Sequence, residues 1–155
     1  MSTPASTLTS LATNRAPDDT LLVWDETRWE AAVESWTDLP GATLDLRIGQ
    51  GAASYGAIFV ATFSAEALAS HPDKNAVVNA TVFFGNAQAA PVSANHRFVT
   101  ARGNPEWSSH SMIRVAEFPP AFQARDVTAR VKVRASSGAT AGFQNWVLRI
   151  DRYNL

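Results

Sequence analysis

The 155-residue chain has no cysteine, which excludes disulfides, thiol nucleophiles and thiolate metal sites together. That absence leaves the compartment open, since many cysteine-free proteins work outside cells. Long apolar runs are missing too, and no stretch reaches the roughly 18 residues of a membrane-spanning helix. Residues 1–19 are rich in Ser, Thr, Ala and Pro. They contain no apolar stretch of about 7–15 residues such as a secretory signal needs. A cytoplasmic location is the plain expectation, and a virion protein has the same features. Charge of one sign is not in excess: 13 basic and 14 acidic residues give a net charge of −1. No general attraction to nucleic acid follows. Histidine is scarce, with only His71, His96 and His110.

What the chain does contain is a series of short strand patterns. Composition assigns residues 1–19 to a flexible arm, because such a segment buries too little apolar area to offset its ordering entropy. Residues 20–155 then form one β-domain, large enough to bury roughly two-thirds of the unfolded chain's surface without a metal or disulfide. Leu21–Trp24 is a short apolar run. Thr43–Ile48 alternates strictly, with Leu44, Leu46 and Ile48 on one face. Tyr55–Ala65 is nearly continuous in apolar residues and reads as a central strand covered on both faces. Val77–Phe84, Arg97–Thr100, Ser111–Phe118, Val127–Arg134 and Phe143–Tyr153 follow. Between them lie the turn signals Gly49-Gln50-Gly51, His71–Asn75, Gly85-Asn86, Arg102–Pro105, Pro119-Pro120 and Ser136-Ser137-Gly138.

One segment points two ways. Thr27-Arg28-Trp29-Glu30 has the form of a capping box, and Trp29, Ala32, Val33 and Trp36 keep helical spacing. Pro40-Gly41 follows shortly after, and in so β-rich a chain extended structure is the expectation. About eight short strands, near ten residues apart and separated by turn chemistry, predict an all-β antiparallel two-sheet sandwich of the jelly-roll kind. No repeat of about 20–50 residues is visible, which argues against propellers and solenoids.

The segments Trp36–Gly41, Tyr55–Ser64, Arg130–Gly138 and Asn145–Ile150 occur in an order that resembles the trimeric jelly-roll domains of the tumour-necrosis-factor-like type, including those of bacteriophage fibres and spikes. The likeness spans residues 36–153 and lies in strand order and turn placement. It implies a homotrimer with a non-enzymatic role in assembly or receptor contact.

Few constellations could carry chemistry. A zinc site needs three or four ligands, usually including a close pair, and the three histidines form no such pair. Ser108-Ser109-His110-Ser111 sets hydroxyls beside an imidazole, but Ser109 and Ser111 point to the opposite face of a strand from His110. No Gly-x-Ser-x-Gly elbow occurs. The carboxylate pairs Asp25/Glu26 and Glu30/Glu34 read as solvated surface acids. Neither catalytic residues, a metal nor a cofactor is predicted. Asn79-Ala80-Thr81 matches a glycosylation acceptor but falls within a strand.

Two groups of contact residues stand out. Arg130, Lys132 and Arg134 share one face by period-two alternation. They form either a solvated, edge-protecting face or a contact for an anionic glycan, capsid or acidic subunit. Nucleic acid is the weaker match, since no aromatic residues interleave the stripe. The loop ending in Glu106-Trp107, with Arg102 and His110 nearby, puts a large aromatic among turn residues. Trp107 there either stacks on a sugar or protein, or folds back over the core. Basic residues are sparse before Asn75 and frequent after it, while most acids come early. The two sheets then carry different outer faces, or opposite charges meet between subunits. The function expected is a non-enzymatic structural protein of a virion or similar particle, of fibre, spike or capsid-decoration type. Its partners would be its own copies, other virion or surface proteins, or a glycan receptor. A carbohydrate-binding module or lectin is the alternative.

Overall fold

The computed structural model describes residues 15–48, 56–73, 75–120 and 124–155. Most of the N-terminal arm, the Gly49-Gln50-Gly51 break, Tyr55 and Lys74 lie outside them. Ten strands run in chain order: β1 (Asp19–Asp25), β2 (Trp29–Ala31), β3 (Thr37–Ile48), β4 (Ala57–Ser70), β5 (Ala76–Phe84), β6 (Ala87–Gln88), β7 (Arg97–Ala101), β8 (Ser108–Phe118), β9 (Arg125–Ala135) and β10 (Thr140–Asn154). Among the described residues there is no helix, and the segment from Thr27 to Trp36 is extended around β2.

Sheet A has the order β1-β10-β4-β8, with β2 on the same edge of β10 as β1. Sheet B has the order β3-β9-β5, and β6 and β7 share the far edge of β5. Setting aside the short β2 and β6, the remaining strands pair first with last, second with seventh, third with sixth and fourth with fifth, all antiparallel. That nesting of strands across two sheets is a jelly roll.

The same nesting brings charges that are far apart in the sequence together. Early strands lie beside late ones, so early acids meet late bases within one chain. Asp38 stands 3.1 Å from Lys132 and 3.7 Å from Arg130, and Asp19 stands 3.7 Å from Arg152.

The core lies between the inner rows of the two sheets. Val127, Ala129, Val131 and Val133 of β9 face it, as alternation predicts, with Leu44, Leu46 and Ile48 of β3 beside them. From sheet A come Phe59, Ala61, Phe63, Phe143, Trp146, Leu148 and Ile150. Phe63 sits at the centre of an aromatic group, with ring centroids 5.6 Å from Phe98, 6.1 Å from Phe143 and 6.3 Å from Trp146. Phe59 stacks on Phe84 at 5.7 Å, joining the sheets at the opposite end. Each such pair adds about 0.5–1.5 kcal/mol beyond the area it buries.

Two irregularities re-aim side chains. Between Gln144 and Val147, β10 carries Asn145 and Trp146 opposite the single residue Ala65 of β4. Asn145 takes a left-handed φ of 48°, which Asn tolerates better than most residues. The bulge resets the alternation, so Phe143 and Trp146, three residues apart, both face the core. In β3, the stretch between Asp38 and Thr43 bows out against β9, with Gly41 at φ 82°. Pro40-Gly41 is therefore a bulge inside a strand and not the end of one. Leu39 and Ala42 on either side of it still reach the core.

β4 departs from its sequence pattern in one respect. It is central in its sheet and buried at both ends of its outer row, by Ile58 and Leu68. Val60, Thr62, Ser64 and Glu66 between them are only partly buried, so the strand is not covered on both faces. Its many alanines and phenylalanines reflect a dense inner row, while the outer one mixes Ile58, Val60, Thr62, Ser64, Glu66 and Leu68.

Candidate functional site

The outer face of sheet B holds Arg130, Lys132 and Arg134, side by side along β9 as alternation requires. Each cation has a partner within the fold. Arg130 and Lys132 straddle the Asp38 carboxylate. Lys132 Nζ stands 5.3 Å above the Phe83 ring, and the Arg134 guanidinium 4.8 Å above Trp36. Arg134 also donates to the Ala94 carbonyl of the loop that crosses this face. Trp36 and Phe83 meet edge to face at 6.0 Å. The stripe is thus interleaved with aromatic residues after all, contrary to its appearance in the sequence. They come from the segment before β3 and from β5, so a scan along β9 alone does not show them. Below them, Thr81 is fully buried and donates nothing to solvent. Asn79 is almost fully covered, which removes the Asn79-Ala80-Thr81 acceptor from the surface.

The loop candidates do not converge. Arg102 and Glu106 are exposed and make no hydrogen bond among the described residues. Trp107 lies half-buried over Gly142 of β10, with the Arg28 guanidinium 5.0 Å from its ring. It has the folded-back geometry of the two readings. His110 packs tilted against Phe98 with ring centroids 5.5 Å apart, and its Nε2 shares a 2.6 Å hydrogen bond with the Ser108 hydroxyl. Ser108 and His110 are two apart and share a face, a pairing that considering only Ser109 and Ser111 misses. No carboxylate orients the other ring nitrogen among the described hydrogen bonds. His71 Nδ1 accepts from the Asp73 N–H, and its ring covers Gly138. Among the described residues no three His, Asp or Glu side chains stand close enough to hold a metal ion.

The outer face of sheet A is different in kind. Strand register places Leu22, Arg149, Thr62 and Ile113 in one row across β1, β10, β4 and β8, and Trp24, Val147, Ser64 and Ser111 in the next. Trp24 is 62% exposed, Ile113 58%, Leu22 50% and Val147 38%. Between these apolar margins lie small hydroxyl side chains, with Ser64 and Ser111 hydrogen-bonded to one another. Arg149 is tied to Asp151 at 3.0 Å. The face carries exposed apolar side chains on its edge strands, with the Arg149–Asp151 pair and small hydroxyls between them.

At the bulged end of this face is a depression of about 370 Å³ bordered by Trp24, Glu26, Glu66, Asn145 and Val147. Glu66 Oε2 accepts from Gln144 Nε2 at 2.8 Å and from Asn145 Nδ2 at 3.0 Å. The left-handed bulge residue is what turns the Asn145 amide toward Glu66. Asp25, also at the rim, is held below the usual carboxylate range, chiefly by the Thr27 backbone N–H. The sequence shows Leu21–Trp24 only as an apolar run, and nothing in it marks Trp24 as facing outward. That follows from its register opposite Val147.

No family model matches the chain, and no curated protein does. Among solved structures, the chain is similar to the CBM36-1 domain of a multidomain xylanase from the hindgut metagenome of Trinervitermes trinervoides, with 12% identity over 85% of this chain and 96% of that one, and a TM-score of 0.36. It is similar to a chain of infectious bursal disease virus, Gx strain, with 9% identity over 98% of this chain and 41% of that one, and a TM-score of 0.36. The third is dimeric latent PorU from Porphyromonas gingivalis, with 11% identity over 90% of this chain and 13% of that one, at the same TM-score. The chain thus spans less than half the length of the viral and PorU chains.

Proposed function

We propose that this protein is a non-enzymatic assembly module of a virion or similar particle, of fibre, spike or decoration type, that works as a homotrimer through surface contact. The observation that supports the reading best is the outer face of sheet A. A solvated antiparallel sheet normally carries polar residues on its outer face. Here Leu22, Val147 and Ile113 occupy such positions and stand open to water, with Trp24 at the bulged end left outside the contact. Exposed apolar side chains gathered on one face are the usual mark of a protein contact.

A second copy of the chain is the occupant the face suits. Thr62, Ser64 and Ser111 are short, so a partner surface can approach β4 and β8 closely while Leu22 and Ile113 become buried and Arg149 keeps its pair with Asp151. The resemblance to trimeric jelly rolls favours three copies over two.

Replacing Ile113 by Glu tests the reading. Its side chain points away from the core, so the fold is retained. The charge should weaken self-association at least tenfold, seen as later elution from a calibrated column at equal concentration. Unchanged elution of an assembled Ile113→Glu protein would remove this face from the contact.

A further inference from the structure

The depression at the bulged end of sheet A has a composition that the assembly role does not require. Trp24 presents an uncovered indole at its rim. Next to it, Glu66 and Asn145 are locked together. Glu66 Oε2 takes both amide N–H groups, while its Oε1 has no hydrogen bond among the described residues. The Asn145 amide uses its nitrogen on Glu66, which leaves its oxygen as an acceptor. Two fixed acceptors thus stand beside a flat apolar plate.

From this geometry we infer that the depression binds a saccharide, with one pyranose ring stacked on Trp24 and its hydroxyls donating to Glu66 and Asn145. A pyranose has the two features the site calls for: an apolar C–H face to cover an indole, and hydroxyl donors at its edge for neighbouring acceptors. The volume of about 370 Å³ falls in the range of roughly 300–1,000 Å³ typical of small-ligand clefts. Holding Glu66 through two amide donors fixes its orientation before the ligand arrives, which lowers the ordering cost of binding. An ammonium group would also supply donors and would sit over the indole. It matches less well: Asp25 and Glu26 add carboxylates to the rim, but exposed carboxylates in water gain little from a cation, and an ammonium leaves most of the indole face bare. The saccharide would be the receptor of the proposed contact role, and it rests on that reading for its biological setting alone.

The test uses the full chain on a printed array of neutral and acidic glycans, followed by titration calorimetry with the strongest binder. The expected result is binding that Trp24→Ala weakens at least tenfold and Glu66→Gln at least fivefold, with little dependence on salt. Both side chains lie at the surface, so each variant should fold, which circular dichroism can check. Three results would overturn the assignment: no glycan bound by the wild type, affinity unchanged in Trp24→Ala, or binding only of a tetramethylammonium probe and weakened by salt. A wild-type protein that binds glycan but stays monomeric refutes the assembly reading and leaves the site intact. A trimer that binds no glycan does the reverse.

Discussion

Gly142 and Trp107 occupy one space: a Cβ built on Gly142 would lie 2.9 Å from the indole Cη2 atom, and 3.2 Å from Leu68 Cβ. The glycine is what lets the loop after β7 fold its tryptophan onto sheet A. Replacing it with Ala should lift Trp107 off the sheet and cost about 1–3 kcal/mol, as overpacking does. Urea unfolding reads the loss, and a red shift of tryptophan emission reads the displaced indole. Unchanged stability with unchanged emission would show that the contact is loose.

Asp38 links β3 to two cations of β9 at a half-exposed position. Exposed pairs are worth about 0–1 kcal/mol each. Asp38→Asn is therefore expected to lower stability by no more than about 1 kcal/mol, with the difference shrinking in high salt. A larger, salt-independent loss would mean that Asp38 shapes the neighbouring bulge and does not simply pair charges.

Acid sensitivity should centre on the N-terminal edge. Asp18 is held below the ordinary aspartate range by the Asn154 backbone N–H first, with Arg15 adding to it. A group whose pKa is lowered on folding contributes stability above its unfolded value, about 3.9 for aspartate. That contribution is lost as pH falls through the folded value. The stability difference between wild type and Asp18→Asn should thus be constant above about pH 5 and fade progressively as the pH falls below that. Chemical unfolding across that range measures it, and a difference that grew on acidification would contradict the contact.

The aromatic group around Phe63 predicts the most severe core defect. Phe63 is fully buried and touches rings from both sheets. Truncation to Ala should cost about 3–5 kcal/mol, the usual range for Phe to Ala in a core that cannot collapse. Thermal or denaturant unfolding reads it directly.

These residues also show how much of the molecule can be read from its sequence. The Val127–Val133 row was legible because strict alternation has only one sheet-facing solution, and turn residues bounded most strands correctly. The bulges were not. Nothing local shows that Pro40-Gly41 stays inside a strand, or that Asn145 resets the alternation so that Phe143 joins Trp146, Leu148 and Ile150 at the core. Site geometry depends on just those features. The exposure of Trp24 follows from its register against β10, and the pairing of Asp38 with Arg130 and Lys132 joins residues about ninety positions apart, brought together only by the jelly-roll nesting. Its loop position makes Trp107 the tryptophan that the sequence marks as exposed. The more exposed one stands in a strand.

Sedimentation equilibrium of the wild-type protein over a wide concentration range tests the central claim most directly. A single species at three times the 16.7 kDa chain mass is expected at micromolar concentration, converted toward the single-chain mass by Ile113→Glu. A wild-type protein that sediments as one chain throughout would contradict it.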